Sequence, residues 1–348
     1  MSKIGDNLSR PGVPDPVLRT IESVMASYPH GQIRYDISPP MPFPAAKGLK
    51  VPVIAIGDVH GHSAPLGVLL RELMEAYPLA SLRFLGDLIH RGPDSGGALA
   101  LAITTCMAIE DERGGRTAML HPGNHEEMLL NVLALLDGHE AYVDHLLTIN
   151  LLEYIKQNQA WETPFLASEN PSSAIQHDVL KRMPEDFAAI ISDLGGLSPW
   201  LMNCPVASQS GDIVFVHAGI AATPEAERDP VAWAEKHPLI LTFPEPDGPR
   251  WIHRGVVGRK HQFPNGRVIV FGHMIDKAYA EALEDGRFLE IDPSAPTLGI
   301  DSGSYDTGVI TGAIFEDGTI RLAHVRFDQA AQMAAREDVD TRHLAPTD

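Results

Sequence analysis

Five short, mostly apolar runs in this chain each stop at a tight turn and then present a side chain that can hold a metal. Val51–Ile56 leads into Gly57-Asp58-Val59-His60-Gly61, and Leu82–Leu85 leads into Gly86-Asp87. Ala118–His121 leads into Pro122-Gly123-Asn124-His125-Glu126, Ile213–Val216 into His217-Ala218-Gly219, and Val268–Phe271 into Gly272-His273. Such runs, rich in β-branched residues and bounded by Gly or Pro, predict buried strands. Layered α/β folds place their ligands at the carboxyl ends of strands, and glycine there lets the backbone turn tightly beside a bound ion. The pattern therefore requires a fold that brings five distant strand ends to one place.

The donors at those ends are Asp58, His60, Asp87, Asn124, His217 and His273, with His125 to spare. Carboxylate, imidazole and one amide oxygen form a set for two divalent metals, Mn foremost, with Fe, Zn or Co also accepted. Each motif alone is ordinary. Gly86-Asp87 is a common turn, and most of the 16 histidines, His139, His145, His177, His237, His324 and His343 among them, read as lying in polar or helical stretches with no partner pattern. It is the recurrence at successive strand ends that carries the reading. Two metals roughly 3.5–4 Å apart clamp the attacking and leaving oxygens of an in-line displacement at phosphorus and bring a bound water towards ionisation near neutral pH. A shared carboxylate suits that spacing. A leaving alkoxide still needs a proton, which a histidine can give, and arginine pairs two phosphate oxygens.

These motifs, Gly57 to Gly61, Gly86 to Gly92 (GDLIHRG), Gly123 to Glu126, His217 to Gly219 and Gly272-His273, resemble a calcineurin-like metallophosphoesterase of the phosphoprotein phosphatase (serine/threonine phosphatase) family, bacterial branch. The resemblance spans about residues 51–311. It implies an α/β fold, a four-layer α-β-β-α sandwich of two mixed sheets flanked by helices. It also implies one metal on Asp58, His60 and Asp87, a second on Asp87, Asn124, His217 and His273, phosphate binding by Arg91, and proton donation by His125. The expected activity is hydrolysis of phosphomonoesters, phosphoprotein first, by a hydroxide held between the metals. Nucleotide or dinucleoside polyphosphate hydrolysis is the alternative, and a weakly catalytic phospho-binding module is the alternative from another class.

Two departures from the family pattern bear on mechanism. The Asp that precedes the arginine in GDxxDRG is here His90, so His125 lacks the usual charged partner; Asp94 and Glu127 are candidates to replace it. This predicts a preference for aryl phosphates or phosphotyrosine, whose leaving groups depart without a proton. His62 stands where the family has Cys or Gln and reads as a spectator at a helix start. The stretch Arg250-Trp251-Ile252-His253-Arg254 resembles the branch's Trp-Ile-Arg segment, which nominates Arg254, ahead of Arg250, as a second phosphate arginine.

A formal net charge of −19 with no lysine/arginine run argues against nucleic acid as a partner. No apolar run approaches the ~20 residues of a membrane span, and the basic-then-apolar start of a signal peptide is missing; a cytoplasmic enzyme acting on phosphorylated protein or small phosphoesters is expected. Cys106 and Cys204 predict no structural disulfide. Residues 1–50 read as a Pro-rich extension, 51–327 as the catalytic domain with a mainly helical insertion or cap at 137–210, and 328–348 as a tail. Helices are expected at Ser63–Ala76, Ser95–Glu110 and Glu126–Leu136, with a hairpin turn at Asp317-Gly318.

Overall fold

The computed structural model describes residues 13–26, 33–113, 117–136, 197–237, 248–252 and 263–331. Arg254, the tail from 332 and residues 137–196 of the expected insertion lie outside the described residues. In chain order the strands are Arg34–Ile37 (β1), Met41–Pro42 (β2), Val53–Ile56 (β3), Ser81–Phe84 (β4), Ala118–Leu120 (β5), Ala207–Ser210 (β6), Ile213–Val216 (β7), Val268–Phe271 (β8), Thr297–Gly299 (β9), Val309–Glu316 (β10) and Thr319–Arg326 (β11). The helices are Asp15–Ala26 (α1), Ser63–Ala76 (α2), Ser95–Arg113 (α3), Asn124–Leu136 (α4), Leu197–Met202 (α5), Pro224–Arg228 (α6), Pro230–Ala234 (α7), Ala278–Glu284 (α8) and Ser304–Thr307 (α9).

One sheet runs β1-β11-β10-β3-β4-β5, with β2 added on β11, and the other runs β6-β7-β8-β9. Both are mixed. β3, β4 and β5 are parallel while β10 meets β3 antiparallel; β7, β8 and β9 are parallel while β6 meets β7 antiparallel.

Alternation along each strand builds the layers, because successive side chains point to opposite faces. In β3, Ile54 and Ile56 join Ile21 of α1, Leu69 of α2 and Leu101 of α3 in one core. Val53 and Ala55 of the same strand join Phe215, Val270 and Leu298 from the second sheet in another. Val214, Val216 and Ile269 face the remaining side and pack on Ala226 and Trp233 of α6 and α7. Helices, sheet, sheet and helices thus stack in four layers, and strands covered on both faces explain apolar runs without polar alternation.

Part of the segment read as a Pro-rich extension, residues 1–50, packs on the core. α1 packs Val17, Leu18, Ile21 and Val24 into the first core, and β1 pairs with β11 through Arg34↔Arg326 to Ile37↔Ala323. The prolines around Ser38–Pro44 obscured a preceding helix whose apolar spacing is regular. The α2 span is as expected, with Ser63 its first helical residue, whose hydroxyl donates to Asp94 at 2.5 Å. α3 runs three residues beyond the expected Glu110. The β10–β11 hairpin turns at Asp317 and Gly318, both at positive φ, 36° and 82°. Among the described residues no helix is long and apolar enough to cross a membrane.

Buried histidines make this core sensitive to acid. His324 on β11 is fully buried, hydrogen-bonded to Thr311 at 3.0 Å and stacked on Phe288, and burial pulls its pKa from 6.5 down to about 4. The unfolded chain takes up this proton below 6.5 and the folded chain refuses it until about 4, so the contribution is present above that window and lost as pH falls through it. His324→Gln should therefore flatten the fall in stability between about pH 7 and about pH 4.5, by up to roughly 3 kcal/mol, as read by urea unfolding. An unchanged slope would show that His324 is not among the groups that destabilise the fold in acid.

Candidate metal centre

The loops that follow β3 and β4 are zipped together before any ligand is considered. Val59 and His60 donate their amides to the Asp87 carbonyl at 3.1 and 2.9 Å, and Gly61 donates to Leu88 at 2.7 Å. Five residues of the centre, His60, Asp87, His90, Arg91 and His273, have φ between 47° and 70°; the only other such non-glycine among the described residues is Asp317. That conformation is disfavoured for side-chain-bearing residues, costs of order 1–3 kcal/mol each, and clusters at functional sites. Two glycines are there for clearance. A Cβ on Gly123 would lie 2.1 Å from Asp87 Oδ1, and one on Gly272 would lie 2.1 Å from Asp58 Oδ1.

All the sequence-predicted ligands within the described residues converge. The donor atoms of Asp87, His217 and His273 lie within 4.8 Å of one another, and so do those of His60, Asp87 and His125, with Asp87 common to both sets. Asp58 sits beside the second set, its Oδ2 3.9 Å from His60 Nε2, and both its oxygens accept the His273 amide at 3.0 Å. Asn124 Oδ1 faces His217 Nε2 and His273 Nδ1, each at 3.0 Å.

Hydrogen bonds on the far side of the rings point lone pairs inward. His217 Nδ1–H donates to the Leu85 carbonyl at 2.6 Å and His60 Nδ1–H to the Ile89 carbonyl at 3.1 Å. The Nε2 of each is then an acceptor, 3.4 Å and 3.9 Å from Asp87 oxygens. Converging acceptors repel unless a cation, or a turned Asn124 amide donating to His217, His273 and Asp87, lies among them. Carboxylate, imidazole and amide-oxygen donors so arranged fit hard-to-borderline divalent ions.

The ionisation pattern agrees with a site shaped for positive charge. Burial, followed by Asp301 and Asp87, pushes the Asp58 carboxyl well up. Burial and then Glu126 do the same to Asp87. Burial, followed by Arg91, holds His60 well below the usual range, and burial followed by His60 and His90 does so for His125.

The place of the missing carboxylate is taken by His90 itself. Its Nδ1 lies 2.7 Å from Nδ1 of His125, both rings buried, while His125 Nε2 faces Asp87 Oδ2 at 3.8 Å. The two carboxylates considered as replacements are engaged elsewhere. Asp94 accepts from Ser63 and from the Gly97 amide. Glu127 accepts from Arg250 Nε at 3.1 Å and Trp251 Nε1 at 2.6 Å. That pairing also fixes Arg250 as a buried clamp on Glu127 and the His237 carbonyl. Arg91 is half-buried at the rim with its guanidinium carbon 3.9 Å from the Tyr305 ring centroid. His62 is buried against Phe327, with ring centroids 4.6 Å apart.

Three neighbours were not picked out from sequence as site residues. Asp301, fully buried after β9, interacts electrostatically with Asp58, and burial raises its pKa to about 6. The available signal was Gly299-Ile300-Asp301-Ser302-Gly303, a sixth strand end of the same type. Glu126 accepts the amides of Asp87, Leu88 and Gly123 at 2.8–2.9 Å and so ties the second loop to the third. A Glu in the first turn of a helix ordinarily reads as a dipole charge, which hid it. Tyr305 had no local signal.

A family model described as calcineurin-like phosphoesterase matches residues 51–279. Two curated relatives carry the name symmetrical bis(5'-nucleosyl)-tetraphosphatase. The one from Ralstonia nicotianae is 45% identical over 84 residues, 24% of this chain and 26% of its own length. The one from Janthinobacterium sp. (strain Marseille) is 26% identical over 198 residues, 57% of this chain and 52% of its own length. The chain thus spans about a quarter and about half of these relatives. Among solved structures, a cold-active protein-tyrosine phosphatase of a psychrophile Shewanella sp. is 18% identical with a TM-score of 0.46, covering 78% of this chain and 77% of its own.

Proposed function

The chain belongs to the calcineurin-like phosphoesterase family of hydrolases, and on that premise we propose that it is a metal-dependent phosphatase of phosphomonoesters, with phosphoprotein the favoured substrate class. Asp58, His60 and Asp87 would hold one divalent ion and Asp87, Asn124, His217 and His273 a second. Such a pair supplies a water of lowered pKa and positive charge opposite the phosphoryl oxygens. The chain's own groups do the rest. Arg91 offers two N–H donors to phosphate oxygens. His125 gives a proton from Nε2 to the departing oxygen while its Nδ1–H donates to Nδ1 of His90. The observation that carries this reading is the 2.7 Å His90–His125 bond, which aims His125 Nε2 at the carboxylate common to both ligand sets.

A metal-supplemented screen of aryl phosphates, phosphotyrosine and phosphoserine peptides, nucleotides and dinucleoside tetraphosphates tests it. The names of the two curated relatives favour a second reading, dinucleoside polyphosphate cleavage. Faster turnover of a dinucleoside tetraphosphate than of every monoester would establish that reading instead. Phosphate binding without turnover of any ester would leave a binding module. Arg91→Ala should raise the inhibition constant for inorganic phosphate by roughly 10–100-fold, the worth of a charge-assisted pair, and leave metal content intact. A parental inhibition constant would remove Arg91 from the phosphate site.

A further inference from the structure

Arg91 is long and mobile by chemistry, yet it lies half-buried against defined neighbours. Its backbone has φ 68°, and the turn behind it closes through Gly92 N–H donating to the His90 carbonyl at 2.8 Å. Gly92 itself abuts the His60–Gly61 backbone, where a Cβ would come within 2.1 Å of the His60 carbonyl oxygen. Among the described residues its guanidinium has no hydrogen-bond acceptor and no carboxylate pair. What it has is the face of Tyr305, with Cζ 3.9 Å from the ring centroid. The same ring stands at 87° to His60, centroids 5.1 Å apart.

We propose that Tyr305 is a positioning residue that aims Arg91 at the substrate phosphate. The inference rests on the phosphatase reading above and extends it to a residue on a different strand end. The physical reason lies in what stacking leaves over. A carboxylate partner would occupy the in-plane N–H donors of the guanidinium, the ones that a phosphate needs. An aromatic face attracts the cation and fixes its plane while occupying none of them.

The turn that carries the ring is tied down by hydrogen bonds. α9 begins where the Gly303 amide donates to Asp301 Oδ1 at 2.8 Å, and Thr307 Oγ1 donates to the Ser302 carbonyl at 2.8 Å. Ser302 Oγ donates to the Val309 carbonyl at 2.7 Å, tying the turn to β10. Buried Asp301, next to Asp58, is thus the root of a chain of contacts running from the metal centre through α9 and Tyr305 to Arg91.

The test is titration of the metal-loaded protein with inorganic phosphate, by calorimetry and by inhibition of aryl phosphate hydrolysis. Tyr305→Leu should raise the phosphate dissociation constant about tenfold, with metal content unchanged. Tyr305→Phe, which keeps the π face, should stay within about twofold of the parent. In an Arg91→Ala background, Tyr305→Leu should add nothing, because the two residues act as one unit. Tyr305→Met serves as the second replacement if the Leu variant does not fold. Parental phosphate affinity in the Leu or Met variant, a Phe variant as weak as these, or additive losses in the double variant would each overturn the assignment. A parent protein that neither binds phosphate nor cleaves any phosphoester would overturn the phosphatase reading, and this inference with it.

Discussion

Asp87→Asn should nearly abolish turnover while leaving the metal-free protein at least as stable as the parent. Asp87 is the member common to both candidate ligand sets. Its oxygens lie 3.4 Å from His217 Nε2, 3.8 Å from His125 Nε2 and 3.9 Å from His60 Nε2. Asparagine keeps the shape, tolerates the left-handed φ of 48° at this position, and can still accept the His125 amide that Asp87 Oδ1 accepts at 3.0 Å. It loses the negative charge and one lone-pair-bearing oxygen. Metal electrophilic assistance is worth several kcal/mol, so a loss of about 10³-fold in kcat/KM is expected, together with depleted metal in elemental analysis.

Stability should move the other way. Burial, then Glu126, raises the Asp87 carboxyl well above its ordinary 3.8. The folded state therefore holds that proton to higher pH than the unfolded chain, and in the metal-free protein Asp87 costs stability as pH rises past its unfolded value. Removing the charge relieves that cost, and the metal-free variant should melt at or above the parent temperature near neutral pH. A variant that remained fully loaded and active would eliminate the bridging role. One that melted well below the parent would show that Asp87 supports the fold in its own right.

His90→Asp should narrow the proposed preference for aryl over alkyl phosphates. His90 already touches His125, Nδ1 to Nδ1 at 2.7 Å, so it occupies the place where a carboxylate would act. A neutral imidazole accepts one hydrogen bond from His125 but does not stabilise its cation as a carboxylate does. Aspartate is among the residues that tolerate the φ of 70° at this position. Alkyl leaving groups such as that of phosphoserine need the proton and aryl ones largely do not. The aryl-to-alkyl ratio of kcat/KM should therefore fall, by up to the ~10²–10⁴-fold that general acid catalysis provides. With His125→Ala as the reference, an unchanged ratio in His90→Asp would mean that protonation of the leaving group does not limit alkyl substrates here.

What the sequence determined by itself was local. β7 and β8 occupy the expected runs, and β3, β4 and β5 lie within two residues of theirs. The ligand residues could be named in advance because a ligand type directly follows an apolar run, and both signals sit within a few residues of each other. The helical spacing of Val17, Leu18, Ile21 and Val24 was equally local, and only the neighbouring prolines masked it.

The tertiary structure decided which individual atoms of those distant strand ends meet. That His90 partners His125 is a contact across 35 positions, and that Asp58 accepts the His273 amide is one across 215. Whether a histidine in place of an aspartate leaves the acid bare or gives it a neutral partner depends on a ring reaching 2.7 Å, which no spacing encodes. Glu126 and Tyr305 went unassigned for the same reason. Each resembles an ordinary helix-start or surface residue until the two sheets pack and bring the ends of their strands together around it.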